Sequence, residues 1–198
     1  MRSEYLNPEL YVELYSVMQR PNVNALRVSL ETGLRIDDVL NLTPDQVRAD
    51  KLRYTAKKTG KPGVARLSKQ LRSELLRQSS DLWCFPGKKA GQHRTRQTVY
   101  KDLKKACKLL GVEGQISPHS ARKTFAVELR KRSGVGAVQR ALQHSDVETT
   151  NLYAFADVAI RQQIDDCERI ATLVVEKIEH LFESAGIFSQ KSEKNEKK

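Results

Sequence analysis

At 198 residues the chain has room for one domain of ordinary size with its own core, and a net charge of +11 is too one-sided for a surface that serves solubility alone. No apolar run nears the roughly 20 residues of a membrane-spanning helix, and the start, MRSEYLNPEL, lacks a secretory apolar stretch, so a cytoplasmic chain with no membrane partner is expected. The positive excess lies in residues 51–140, which carry 23 Lys/Arg against 5 Asp/Glu, and cations clustered in this way suit a polyanion whose condensed counterions they release.

In chain order, Asn7-Pro8 reads as a helix cap followed by proline at the first helical position, and Leu10, Leu14, Tyr15 and Met18 recur at helical spacing. Arg20-Pro21-Asn22 reads as a break. A second helix is predicted through Ala25 to Leu30, and Thr32-Gly33 ends it with a glycine suited to a left-handed cap. Arg35 opens a short helix, IDDVLNL, that Thr43-Pro44 terminates. From Gln46 to Ser68, short alternating stretches flank a Lys-Lys-Thr-Gly-Lys-Pro-Gly turn, the pattern of a small antiparallel hairpin or meander. Ser68 caps SKQLRSELLRQ, Trp83 to Phe85 reads as a short extended piece, and RTRQTVYKDLKKACKLLG reads as a basic helix ending at Gly111. Helices are predicted for most of the remainder, including a long one over 157–184 that places Ile160, Ile164, Ile170, Val174 and Ile178 on one face. The last residues, KSEKNEKK, lack any apolar side chain, and 187–198 is expected to be a disordered charged tail.

Cys84, Cys107 and Cys167 have no CxxC spacing and read as small buried hydrophobes. The histidines form no HxxxH or HExxH pair, so no metal is expected, and His93 and His180 read as surface residues. The informative stretch is SPHSARKTFA at 117–126, followed by LQHSDVETTNLY at 142–153. Ser117-Pro118 opens a helix, so His119 and Arg122, three residues apart, project from one face near an end that favours anions. On one straight helix His144 and Tyr153 would face opposite ways. Ser145 with Glu148 forms a capping-box pattern, however, and a helix restarting there lets imidazole and phenol reach one site.

Taken in order, TGLRIDDVLNLTPDQV at 32–47, AKKTGKPGVARLS at 56–68, SPHSARKTFA and LQHSDVETTNLY resemble the catalytic domain of the tyrosine recombinases, the phage-integrase family, over residues 8 to 156. The resemblance implies a mainly α fold with a small antiparallel β-hairpin or sheet, with residues 1–186 forming the catalytic domain. It implies DNA strand exchange through a covalent 3′-phosphotyrosine, without metal or other cofactor. Carried over, Arg35 and Arg122 would clamp the scissile phosphate, His119 and His144 would hydrogen-bond it or handle protons, Lys58 would protonate the departing 5′-oxygen, and Tyr153 would attack. Lys57 and Lys61 flank Lys58 as alternative phosphate contacts. The chemistry is coherent, because two permanently charged guanidinium groups can balance the charge that gathers on the phosphate oxygens.

The implied partners are double-stranded DNA and further copies of the chain, as a dimer or tetramer on DNA. Beyond Tyr153, the helix over 157–184 either docks into a neighbouring protomer or packs on its own core. The pattern departs from the family at Asp38, where glutamate is commoner, at Ala121, at Lys123, where histidine is frequent, and at Gln143, where glycine is usual. Only about seven residues precede the first helix, so an amino-terminal clamp domain is not expected within this chain, which is either a catalytic-domain fragment or a short, stand-alone member. A type IB topoisomerase shares the chemistry, and a non-catalytic DNA-binding regulator shares the basic middle.

Overall fold

The computed structural model describes residues 3–142 and 169–178. The chain divides into two compact units, 1–153 and 154–198. Among the described residues of the first, helices and one hairpin run in the order α1 (Pro8–Val17), α2 (Arg20–Thr32), α3 (Ile36–Leu40), α4 (Pro44–Arg48), β1 (Leu52–Thr55), β2 (Pro62–Ala65), α5 (Lys69–Gln78), α6 (Arg96–Leu109) and α7 (Pro118–Leu142).

The helix ends follow local chemistry. The Asn7 side chain accepts a hydrogen bond from the Glu9 amide, and Ser68 accepts one from Leu71, each satisfying an amide that its helix leaves open. Arg20-Pro21-Asn22 does not break the chain for long. It forms the first turn of α2, where proline has no hydrogen bond to lose. The cap there comes from far away: Asp102 of α6 accepts from the Gln19 amide at 2.9 Å and from the Asn22 side chain at 2.6 Å. Thr43-Pro44 likewise starts a helix as well as ending one, because Thr43 and Gln46 form a capping box. Gln46 therefore lies in α4, and the hairpin begins six residues later than the sequence pattern suggests.

β1 and β2 pair antiparallel, with Leu52 opposite Ala65 and Thr55 opposite Pro62. α2 lies at the centre of the unit and packs against α3, α5, α6 and α7. Leu14, Leu26, Leu34, Leu40, Leu71, Leu75, Phe85 and Leu103 fill the core between them. Cys84 and Cys107 are buried there as free thiols, and burial pushes both thiol pKa values up. The amino-terminal segment 3–6 straps α7 and the loop before it: the Glu4 amide donates to the Gln115 carbonyl at 3.1 Å, Thr124 Oγ1 donates to the Leu6 carbonyl at 2.8 Å, and Lys123 Nζ donates to the Ser3 carbonyl. α7 is interrupted at Gly134, whose φ of 75° and ψ of 177° are not helical. In the second unit residues 169–178 are helical, within the helix expected over 157–184, and Ile170, Val174 and Ile178 are exposed; the rest of that helix and the charged tail lie outside the described residues.

The turn from α2 to α3 is tightly constrained. Gly33 has φ 72° and donates its amide to the Ser29 carbonyl at 2.8 Å, and a Cβ there would stand 2.5 Å from the Phe125 ring and 2.8 Å from Leu142 Cδ2. Ser29 Oγ donates to the Leu34 carbonyl at 2.7 Å and the Leu34 amide donates to Thr32 Oγ1, so the turn is bonded on both sides of Leu34. Gly33→Ala is expected to destabilise the protein by at least about 1–2 kcal/mol from backbone strain alone, with the α7 contact adding to it, as measured by urea unfolding.

Candidate active site

Four segments far apart in sequence meet beside the α2–α3 turn. Arg35 is the N-cap residue of α3, and its side chain makes no capping bond. It lines a cleft of about 720 Å3 together with Lys57 and Lys58 of the β1–β2 turn, His93 and Arg96 before and within α6, and His119 at the start of α7. Lys61 lies in a different groove, with Arg53 and Arg140, which separates it from its two lysine neighbours. Two carboxylates border the same cleft, Asp37 and Asp38.

Arg122 lies one helical turn after His119 and is 4% exposed. Its guanidinium donates through Nη1 to the Gly33 carbonyl and through Nη2 to the Leu142 carbonyl at 3.0 Å. These bonds fix the plane of a group with five donors and tie α7 to the turn that delivers Arg35 two residues later. His119, by contrast, is exposed, and its amide donates to the Ser117 hydroxyl at 3.2 Å. Both arginine charges reach one further group. Burial raises the Tyr54 phenol above the ordinary phenolic range, Arg122 and Arg35 pull it back, and Asp38 adds to the rise.

Asp38 is buried at 8% exposure and accepts from the Lys57 amide at 2.8 Å. That bond holds the lysine turn against α3. Lys123, which follows the arginine, turns away to the Ser3 carbonyl. His144 and Tyr153, with the Ser145–Glu148 capping pattern between them and Gln143 before them, lie outside the described residues. Of the six candidates read from the sequence, Arg35, Lys58 and His119 share the cleft wall, and Arg122 sits behind Arg35 through Gly33.

Two cleft residues were not legible as such. His93 was expected at the surface but is half-buried in the cleft wall, because a bridge between Pro86 and His93 folds the 86–93 loop back beside α6. Arg96, read only as part of a basic helix, faces Asp37 across 3.7 Å and lines the wall beside Gln97 and Tyr100. A basic residue at the first turn of a helix carries no local signal of this; only the packing of α6 against α3 brings it to the cleft.

Comparison with known proteins agrees with this architecture. The profile described as the Phage integrase family matches residues 4–159. Tyrosine recombinase XerD of Pseudomonas putida is 32% identical over 152 residues, covering 70% of this chain and 51% of its own length. The catalytic domain of bacteriophage HP1 integrase superposes with a TM-score of 0.58 at 23% identity, covering 78% of this chain and 89% of that one. A lambda integrase dimer bound to a COC' core site gives a TM-score of 0.65 at 16% identity, over 77% of this chain and 48% of that one. The chain spans about half the length of the curated relatives it matches. With a profile matching most of its length and a fold shared with those structures, the chain belongs to the phage integrase family.

Proposed function

We propose that the chain is the catalytic part of a site-specific recombinase that cuts and rejoins duplex DNA through a covalent 3′-phosphotyrosine at Tyr153. The observation that carries this reading is the cleft in which Arg35, Lys58 and His119 meet, backed by an Arg122 guanidinium locked to the Gly33 carbonyl. Kinship with XerD, a tyrosine recombinase, and with a DNA-bound lambda integrase dimer supports it.

In this reading the Tyr153 oxygen attacks phosphorus as the bond to the 5′-oxygen breaks. Arg35 and Arg122 stabilise the charge that builds on the non-bridging oxygens. A phenol is a weak nucleophile near neutral pH, so His119 or His144 accepts or shares its proton, and Lys58 returns one to the leaving 5′-oxygen. The phosphodiester bond exchanges one ester for another, so its energy is conserved and a second 5′-hydroxyl can reverse the step. Two or more copies act on one DNA site, in keeping with exchange between two duplexes.

The test is a duplex nicked near the cleavage position, drawn from candidate inverted-repeat sites, followed by SDS electrophoresis. A protein–DNA adduct supports the reading. Absence of adduct on every cognate site points to a binding-only regulator, and adducts with sequence-indifferent supercoil relaxation point to a type IB topoisomerase.

A second expectation concerns the lysine turn. Asp38→Ala removes the acceptor of the Lys57 amide and is expected to cost about 1–3 kcal/mol in urea unfolding. It should also slow adduct formation about 10-fold or more, because a misplaced general acid loses most of its contribution. A substrate with a better leaving group than a 5′-alkoxide should recover most of that rate, which separates loss of the proton donor from general misfolding.

A further inference from the structure

The loop between α5 and α6 is built around one side chain that the proposed reaction leaves unused. His93 sits between two backbone bonds that rigidify the loop, Gly87 amide to Gln92 carbonyl at 2.8 Å and Arg94 amide to Phe85 carbonyl at 2.7 Å, and Phe85 is fully buried. Space for the loop to close exists because residue 87 is glycine: a Cβ there would stand 2.8 Å from the His93 carbonyl oxygen. The Trp83 ring meets the imidazole edge-on at 5.3 Å, and the indole N–H is itself tied to the Gly91 carbonyl at 3.0 Å. Nδ1 of His93 lies 2.7 Å from the Arg94 carbonyl.

That last contact decides the chemistry. A carbonyl oxygen only accepts, so Nδ1 carries the proton of the neutral ring and Nε2 is left as a bare acceptor. Among the described residues no hydrogen-bond partner meets Nε2, and His93 lines the same cleft as Arg35 and Lys58. Phosphate oxygens also only accept. A phosphate can therefore bond to Nε2 only after the ring takes up a second proton. Arg35, Lys57, Lys58, Arg96 and His119 line the same cleft and make it a place that favours phosphate. Asp37 and Asp38 line it as well, Asp37 facing Arg96 and Asp38 accepting from the Lys57 amide.

We propose that His93 is a further DNA-phosphate contact of the cleft, one that forms only in the doubly protonated ring, so that duplex binding is coupled to proton uptake at this residue. The inference rests on the reading of the cleft as a DNA site.

The test is the salt dependence of binding of the full chain to a mixed-sequence DNA duplex, followed by fluorescence anisotropy at about pH 6 and about pH 8, on either side of histidine titration. Each phosphate contact by a cation contributes a slope of about 0.9 in log affinity against log salt. His93→Asn keeps an amide donor for the Arg94 carbonyl but has no Nε2. It should flatten the slope by about 0.9 near pH 6 and leave it unchanged near pH 8. His93→Lys, charged at both pH values, should show the steeper slope at both. The proposal is overturned by an Asn variant whose slope matches the wild type at both pH values, or by an equal loss at both, which marks a structural role. If the Asn variant fails to fold, the Lys variant decides: a slope still steeper at the lower pH by the wild-type amount overturns the proposal. Failure of the wild-type chain to bind duplex at either pH would instead remove the DNA reading itself, and this inference with it.

Discussion

Arg122→Ala is expected to abolish adduct formation and to lower stability together, whereas Arg35→Ala abolishes adduct formation in a protein as stable as the wild type. The difference comes from where the two guanidinium groups sit. Arg122 is 4% exposed and donates to two carbonyls, of Gly33 and Leu142, that have been withdrawn from water. Removing it strands both acceptors, at about 1–3 kcal/mol for each buried group left unsatisfied. Arg35 is half-buried at the N-cap of α3 and makes no capping bond, so its truncation should shift unfolding by no more than about 0.5 kcal/mol. In catalysis each removes a preorganised cation from the phosphate, a loss on the order of 100- to 1,000-fold or more in rate. Arg122→Lys should rescue neither property fully, because one ammonium cannot span two carbonyls in the planar geometry of the fork. Urea unfolding and single-turnover cleavage measure the two effects separately. An Arg122→Ala protein that cleaves at the wild-type rate would defeat the assignment.

Tyr153→Phe carries the second large effect. The substitution deletes one oxygen and keeps the ring, so duplex binding and stability should hold while the adduct disappears, a drop of several orders of magnitude typical of losing a covalent nucleophile. A rival phenol lies near the same charges among the described residues. Tyr54 feels both Arg122 and Arg35, but burial raises its pKa above the ordinary range, which keeps it protonated and a poorer nucleophile at neutral pH. An adduct that survives Tyr153→Phe and is lost in Tyr54→Phe would transfer the nucleophile to the hairpin. Peptide mapping of the DNA-linked tyrosine distinguishes the two directly.

Much of the architecture could be read from short-range chemistry. The Asn7 and Ser68 caps, the left-handed Gly33, the hairpin turn at Lys57-Lys58-Thr59-Gly60 and the helix opened by Ser117-Pro118 each involve residues within about four positions of one another, the range over which caps and turns act. Errors arose where one residue type serves two local roles. Proline at 21 and at 44 reads as a terminator, yet each sits in the first turn of a helix, where its missing N–H costs nothing.

The order of the motifs was enough by itself to name the family and to nominate Arg35, Lys58, His119, Arg122, His144 and Tyr153, because those side chains are marked by their immediate neighbours. What each of the described ones does in space was decided by packing. Burial of Arg122 against carbonyls 89 and 20 residues away, the hold of Asp38 on a turn 19 residues on, capping of α2 by an aspartate 80 residues downstream, and entry of His93 and Arg96 into the cleft all join partners with no neighbour relation in the chain. A charged residue read alone defaults to solvent, since burying it unpaired is costly. Only the folded helices bring up the carbonyls and carboxylates that make burial tolerable, and those partners are set by which helix faces pack together, a property of the whole core and of no single stretch of sequence.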